Sequence, residues 1–269
     1  MCGITGIVER DHRKPISRER LLKMVRVLTH RGPDDEGHVE LPGVGLAMRR
    51  LAIVDVAGGH QPFTSEDGDI YLVANGEIYN FIELRKDLGP EQFNTRSDCE
   101  VPLLLFQSKG NNFAEDLRGM YALTILDGNN GGVYLSRDRF GIKPLYICED
   151  DRGLSFASEI SSLVQAGLVK ADLNTEARDQ LLQDQFVHGK LTAIKCVERV
   201  LPGETIQIAD GVIKQRNQLS ALPIDGPANW TEEEAIELLE KVLMESVSIH
   251  QRSDVPYGLF LSGGIDSSA

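Results

Sequence analysis

The sequence predicts an α+β fold built on antiparallel sheets. Three observations carry this. Strand-like runs occur as consecutive hairpin pairs, "GMYALTILD" with "GVYLSRD", "KPLYICED" with "GLSFASE", and "GETIQIA" with "GVIKQ". Short turn sequences separate the members of each pair, which a parallel crossover could not use. Helical patterns fall between the hairpins rather than after every strand, so an alternating βαβ array is disfavoured.

Taken in order, "CGITGIVE" is β-branched and glycine-punctuated and reads as a buried strand. Ser17 then caps a helix carrying Leu21, Leu22, Val25 and Leu28 at helical spacing. It ends at "HRGPDDEG", where Gly32 and Pro33 break the pattern. Strands are expected in "GVGLAMRRLAIVD" and "DIYLVANGE", and helices over "NFIELRKDL" and "DCEVPLLLFQSKG". The turn "GNNG" joins the first hairpin, Asp151-Arg152 the second and Asp210-Gly211 the third. Further helices start near Glu159 and Asn174.

The stretch 219–230 is rich in Pro, Gly and small residues and reads as a linker between a domain at 2–218 and a second at 231–269. Thr231-Glu232-Glu233-Glu234 is a capping box. It opens an amphipathic helix with Ile236, Leu239, Val242, Leu243 and Val247 on one side. "VPYGLFLSGGIDSSA" then reads as a buried strand, a glycine loop and a first helical turn, the opening of an α/β domain. A chain that stops there is expected to be a fragment of a longer protein.

With 41% hydrophobic and 26% charged residues, the chain has the composition of a soluble globular protein. A net charge of −13 argues against nucleic-acid and anionic-membrane partners, which need clustered Lys and Arg. Cys2, Cys99, Cys148 and Cys196 show no CxxC spacing, and the histidines no HExxH pair, so no protein-held metal is expected. Without a signal peptide or membrane-length apolar run, a cytoplasmic protein with reduced thiols is expected.

Cys2 directly follows the initiator Met1. Alone it reads equally as a small buried hydrophobe. Removal of Met1 would give it a free α-amine, with a reference pKa of about 7.7–8.0 against about 8.5 for the thiol. Such an amine can take the thiol proton near neutral pH, which makes a nucleophile without a separate histidine or aspartate. Asn75-Gly76, taken as a dipeptide, reads as a hairpin turn. Asp98 and Glu77, each alone, read as solvated surface charges. Arg50 and Arg49, each alone, read as exposed surface residues.

The companions of these residues change their meaning. "MCGITGI", "HRGPDDEG", "RRLAIVD", "NGEIYN", "SDCEV", "SRDRFGIKPLY", "FASEI" and "LPGE" follow one another over nearly the whole chain. Together they resemble the class II glutamine amidotransferases, whose glutaminase domain is an N-terminal-nucleophile hydrolase. The resemblance implies a four-layer αββα sandwich with antiparallel sheets. It implies that Cys2 attacks glutamine to give a γ-glutamyl thioester, and that Asn75 and Gly76 form the oxyanion hole. It further implies that Arg50 clamps the glutamine α-carboxylate, that backbone groups of Ile53 and Val54 complete the pocket, and that Asp98 and Glu77 take the ammonium. Arg49 stays a surface residue. His30 and Arg31 are expected to hold a loop near the substrate, and Cys99, Cys148 and Cys196 to be structural.

"LSGGIDSS" at 261–268 resembles the SGGxDS loop of the ATP pyrophosphatase family; no Walker A loop, GxxxxGK[ST], is present. The resemblance implies ATP binding through Leu261, Ser262, Gly263, Gly264, Asp266, Ser267 and Ser268, with Mg2+ serving the complete synthetase domain. A glutaminase followed by this loop resembles the glutamine-hydrolysing asparagine synthetase family. That implies glutamine, ATP and aspartate as small-molecule substrates, ammonia passing between two sites, and β-aspartyl-AMP as the intermediate. A homodimer is compatible with the resemblance. The same architecture could amidate another carboxylate, in a peptide, a sugar acid or an antibiotic precursor. A catalytically silent scaffold is the remaining alternative, and the joint presence of Cys2, Arg50, Asn75, Gly76 and Asp98 argues against it.

Overall fold

A computed structural model describes residues 1–223, 226 and 229–268. Residues 224, 225, 227 and 228 of the 219–230 linker therefore lie outside the described residues. Two six-stranded antiparallel sheets are formed. The first has the order β10-β8-β9-β1-β3-β2, from β1 (Gly3–Glu9), β2 (Asp35–Leu41), β3 (Val44–Arg50), β8 (Tyr146–Asp150), β9 (Gly153–Ala157) and β10 (Glu198–Arg199). The second has the order β12-β11-β7-β6-β5-β4, from β4 (Phe63–Thr64), β5 (Ile70–Ile78), β6 (Gly119–Asp127), β7 (Gly132–Arg137), β11 (Glu204–Ala209) and β12 (Val212–Gln218).

Side-chain parity sorts the layers, because alternate residues of a strand face opposite sides. Ile4 and Val8 of β1 and Val44, Leu46 and Met48 of β3 meet Val73, Ala122, Leu126, Val133 and Leu135 of the second sheet in a core between the sheets. Ile7 and Ala47 point the other way, onto Leu21, Met24 and Val25 of α1 (Arg18–Val27) and Leu163 of α4 (Ile160–Gln165). Leu72, Ala74, Leu123 and Ile125 pack outward against α3 (Val101–Lys109) and, at its margin, α2 (Phe81–Leu88). The result is the αββα sandwich. Each fully buried Leu or Ile in these layers contributes about 1.5–3 kcal/mol.

Local chemistry explains the elements. Ser17 accepts the Arg20 N–H and starts α1. Asn174 caps α5 (Thr175–Asp184) by accepting from Glu176 and Ala177. Asp210 and Gly211 both have positive φ, 52° and 64°, as the two-residue turn between β11 and β12 requires.

Four expectations are corrected. β3 ends at Arg50, and 51–55 is a loop rather than a continuing strand. β2 was not anticipated: "DEGHVEL" has no apolar alternation, because this edge strand buries neither face fully. Thr231 does form the full capping box of α6 (Glu232–His250), but Ile236, Leu239, Val242, Leu243 and Val247 are exposed, and Ile249 is the residue of this helix that is buried. Val255–Leu261 is neither a strand nor buried, with Phe260 fully exposed. No strand among the described residues pairs with its backbone, and a lone strand has no ladder to stabilise it. The short α7 (Ile265–Ser268) follows.

Candidate active site

Parity also builds the site. Cys2 sits one residue before β1 and packs against the intersheet core on the Ile4 side. Arg50 ends β3 in phase with Val44, Leu46 and Met48. Asn75 and Glu77 of β5 are in phase with Val73. The two sheets thus turn these side chains toward one another at one end of the sandwich. One pocket is lined by Cys2, Arg50, Ile53, Val54, Asn75, Gly76, Glu77 and Asp98, all of the predicted glutaminase residues, together with Leu51, Cys99 and Lys143.

The Cys2 sulfur accepts the Leu51 N–H at 3.3 Å and lies 3.6 Å from the Leu51 carbonyl. Burial pushes the thiol above its ordinary value, while the Leu51 bond and the nearby cations oppose that. The Met1 amine is lowered, chiefly by burial. Arg31 donates from Nε to the Cys2 carbonyl at 2.9 Å and from Nη1 to Glu159 at 3.0 Å, and His30 reaches the same carboxylate at 2.9 Å. Arg31 therefore holds the Cys2 backbone directly, and Glu159 of the "FASEI" motif ties His30 to Arg31.

Asn75 is 1% exposed, and neither its Oδ1 nor its Nδ2 has a hydrogen-bond partner. An unmatched buried amide costs about 1–3 kcal/mol. It stands on the pocket wall with both its donor and its acceptor unused. Gly76 has a different reason than close approach to a ligand: a Cβ there would lie 2.4 Å from the Met120 carbonyl and 2.7 Å from Tyr121 Cα of β6. The sheet itself demands glycine, and the Gly76 carbonyl accepts the Cys99 thiol at 3.4 Å.

Asp98 lies in a 3-10 turn begun by Ser97. It is buried, accepts the Ile78 N–H at 2.7 Å, and is pushed up to about 6 by burial. Glu77 is also raised by burial, with Lys143 opposing. Cys99 is fully inside, and burial holds its thiol well above the ordinary range.

Arg50 is 4% exposed and donates to the carbonyls of Val54 (3.1 Å), Asp55 (2.7 Å) and Val56 (3.2 Å). It is not a surface residue, and it braces the loop that follows β3. Arg49 is not free either: it bonds the Gly32 carbonyl at 2.8 Å and Glu36 at 2.9 Å.

Sequence reasoning missed two contributors. Lys143 stands in "SRDRFGIKPLY", whose spacing marked a motif without showing which side chain enters the pocket. Asp254 accepts the Asp55 N–H at 2.7 Å and donates its own N–H to the Ile53 carbonyl at 3.1 Å. Beside it Arg252 grips Glu83 at 2.7 and 2.8 Å and bonds the Tyr79 carbonyl. Arg252 draws the Glu83 carboxyl down to about 2. The segment after α6 is thus fastened to the pocket loop, a link no local pattern could reveal.

The residues expected to bind ATP are not brought to this pocket. They form a separate exposed loop in which Ser262 and Ser267 hydroxyls meet at 2.8 Å and the Gly264 N–H donates to Ser262 at 3.4 Å. Gly263 has φ 77° and open space around it. Asp266 is the carboxylate of this loop, and among the described residues no group of three or more metal-ligating side chains forms.

The stacked antiparallel sheets between helical layers are the fold of the N-terminal-nucleophile hydrolases of amidotransferase type. Glutamine phosphoribosylpyrophosphate (PRPP) amidotransferase from B. subtilis shares it, with TM-score 0.59 at 20% identity over 82% of this chain and 50% of that one. Residues 1–218 match the family model described as glutamine amidotransferase domain, and residues 238–269 that described as asparagine synthase. The chain belongs to the glutamine amidotransferase domain family. It is 39% identical over 273 residues to asparagine synthetase (glutamine-hydrolyzing) 1 of Bacillus subtilis (strain 168), covering 100% of this chain and 43% of that protein. It is 36% identical over 245 residues to amidase chyE of Penicillium rubens, covering 89% of this chain and 36% of that protein. The chain thus spans less than half the length of these relatives. No helix among the described residues is long and apolar enough to cross a membrane.

Proposed function

We propose that this chain hydrolyses glutamine at the Cys2 pocket and supplies the ammonia to an ATP-dependent synthetase. The observation that carries the reading is Asn75, a buried amide with no partner on the wall of the pocket that Cys2 lines. Once Met1 is removed, the Cys2 amine takes the thiol proton and sulfur attacks the glutamine side-chain carbonyl. The oxyanion is met by Asn75 Nδ2 and the Gly76 N–H. The C–N bond breaks, the leaving nitrogen takes the proton from the Cys2 ammonium and departs as ammonia, and water then hydrolyses the thioester to glutamate. Arg50 and the loop at Ile53 and Val54 receive the α-carboxylate; Asp98 and Glu77 receive the α-ammonium.

For the acceptor, we take aspartate activated by ATP as β-aspartyl-AMP, with ammonia displacing AMP. The domains are 2–218 and 231–269, joined by the linker at 219–230. The match at 238–269 and the named B. subtilis relative support this. The resemblance to an amidase keeps a different carboxylate as the second reading. Ammonia and glutamate should appear from glutamine with the chain alone. Supplying aspartate and ATP to the complete protein should yield AMP. Glutamine hydrolysis without aspartate-dependent AMP would favour the second reading.

Two expectations follow from Asp98 and Asp254. Asp98 holds a proton in the empty folded pocket up to about 6, above its unfolded value. The folded state then binds the extra proton between about pH 4 and 6, so this group's contribution to stability falls as pH rises through that window. Asp98→Asn removes that slope: relative to wild type it should gain up to about 3 kcal/mol at pH 7 and nothing at pH 4. The same variant should raise the KM for glutamine at least about tenfold, because the ammonium loses its charge partner. Urea melts at both pH values and steady-state kinetics check both parts; a variant that melts with the wild-type pH slope would contradict the assignment. Asp254→Ala frees the Ile53–Asp55 loop and should raise KM severalfold with kcat little changed, which initial-rate kinetics would read directly.

A further inference from the structure

The pocket contains a cation to which the chemistry above gives no task. Lys143 is 5% exposed and lines the pocket with Cys2 and Glu77. Its backbone is pinned. The Lys143 N–H donates to Asp138 Oδ2 at 3.0 Å, and its carbonyl accepts Arg137 Nε at 2.6 Å. Buried Asp138 also accepts the N–H groups of Phe140 at 3.1 Å and Ile142 at 3.0 Å. The loop between β7 and β8 is therefore shaped by Asp138 so that it delivers this one side chain to the pocket. Among the described residues its ammonium makes no hydrogen bond and no ion pair. The ammonium nitrogen is not among the enclosed atoms that lack a partner, so it opens into the pocket, where its charge can act on the groups that share the lining.

We infer that Lys143 is a positioning residue whose charge keeps the freed Cys2 amine in its basic form and favours the Cys2 thiolate, so that it sets the lower pH limit of glutamine hydrolysis. This rests on the reading of Cys2 as nucleophile. The other charges around Cys2 are committed. Arg50 from β3 is bound to three carbonyls, and Arg31 is bound to the Cys2 carbonyl and Glu159. Asp98 and Glu77 bring negative charge from the second sheet's side, Cys99 is bound to Gly76 and Asp98, and His250 of α6 faces Glu77. Lys143 is thus the cation among these groups with no hydrogen-bond partner, and its effect on the thiol adds to that of Arg50, which acts in the same direction. A positive neighbour disfavours an ammonium and favours a thiolate. On the thiol it works against burial, and it lowers the Met1 amine one residue upstream, the direction expected for the Cys2 amine once Met1 is gone. Glu77 in turn supports the charge of Lys143.

The test uses the full chain with Met1 shown by mass spectrometry to be absent. The pH dependence of kcat/KM and of iodoacetamide alkylation at Cys2 would be measured for wild type, Lys143→Met, Lys143→Arg, Glu77→Gln and Cys2→Ala. In Lys143→Met the acid limb of both profiles should move up by on the order of one pH unit, a tenfold loss below the limb that closes at high pH. Lys143→Arg should restore the limb, and Glu77→Gln should move the alkylation limb down. An unmoved limb in Lys143→Met, with full or uniformly lowered activity, would overturn the inference. If that variant does not fold, an unmoved alkylation limb in Glu77→Gln overturns it. Activity surviving in Cys2→Ala would instead strike the nucleophile reading, so the two failures are separable.

Discussion

Cys2→Ala is expected to lower the kcat of glutamine hydrolysis by at least about 10⁴-fold while leaving the fold in place. The size of the loss follows from the absence of a substitute. Cys99 lines the same pocket, but its thiol is bound to the Gly76 carbonyl and burial holds it well above the ordinary range. Cys148 is on β8, whose outward face joins the helical layer over the first sheet, and Cys196 is exposed elsewhere. The structural cost is small, because the lost contacts are the thiol's two weak bonds to Leu51, about 1 kcal/mol each at most, and a marginal contact with the intersheet core. Ammonia release and a thermal melt on the same preparation separate the two effects. Keeping Met1 in place should be as damaging as Cys2→Ala, since an acylated nitrogen is no base.

Asn75→Ala should lower kcat by about 10²–10³-fold with little change in KM, the usual cost of removing one oxyanion donor. Its signature lies in the accompanying stability. Most polar-to-alanine changes in a core lose hydrogen bonds, but Asn75 has none to lose in the empty pocket. The variant should therefore melt at or above the wild-type temperature, as removing an unmatched amide offsets the small cavity left behind. An Asn75→Ala protein that is both inactive and strongly destabilised would mean that Asn75 serves the fold and not the oxyanion. Gly76 offers no such clean test, because any Cβ there collides with the β6 backbone.

The local part of the architecture was legible. Ser17, Asn174 and Thr231 mark helix starts through bonds made within three residues, and Asp210-Gly211 marks a hairpin through its own backbone preferences. The β-branched, glycine-punctuated "CGITGIVE" marks β1 as buried, but both its faces are apolar, and it is the structure that turns Cys2 with Ile4 and Val8 toward the intersheet core. The motifs around Cys2, Arg50, Asn75 and Asp98 name residues that the sheets do bring into one pocket.

What stayed hidden depends on partners distant in the chain. Nothing local to Arg50 says that its guanidinium braces three carbonyls of the following loop, or that Asp254, some two hundred residues away, holds the same loop. Lys143 was read as part of a motif, since a lysine's direction depends on Asp138 folding its loop. β2 escaped notice because an edge strand with both faces half-covered carries no hydrophobic period. Val255–Leu261 erred the other way: its apolar run suits a buried strand, but strandness needs neighbours, and none of the described residues supplies one.

The central claim, that a freed Cys2 is the nucleophile of a glutamine site, is tested most directly by affinity labelling. A glutamine analogue carrying an electrophilic ketone in place of the amide would be incubated with the protein, followed by peptide mass spectrometry. A single adduct on a peptide that begins at Cys2, formed in step with loss of glutaminase activity and blocked by excess glutamine, is the predicted result. An adduct confined to Cys99, Cys148 or Cys196, or full labelling of Cys2 with glutaminase activity intact, would contradict it.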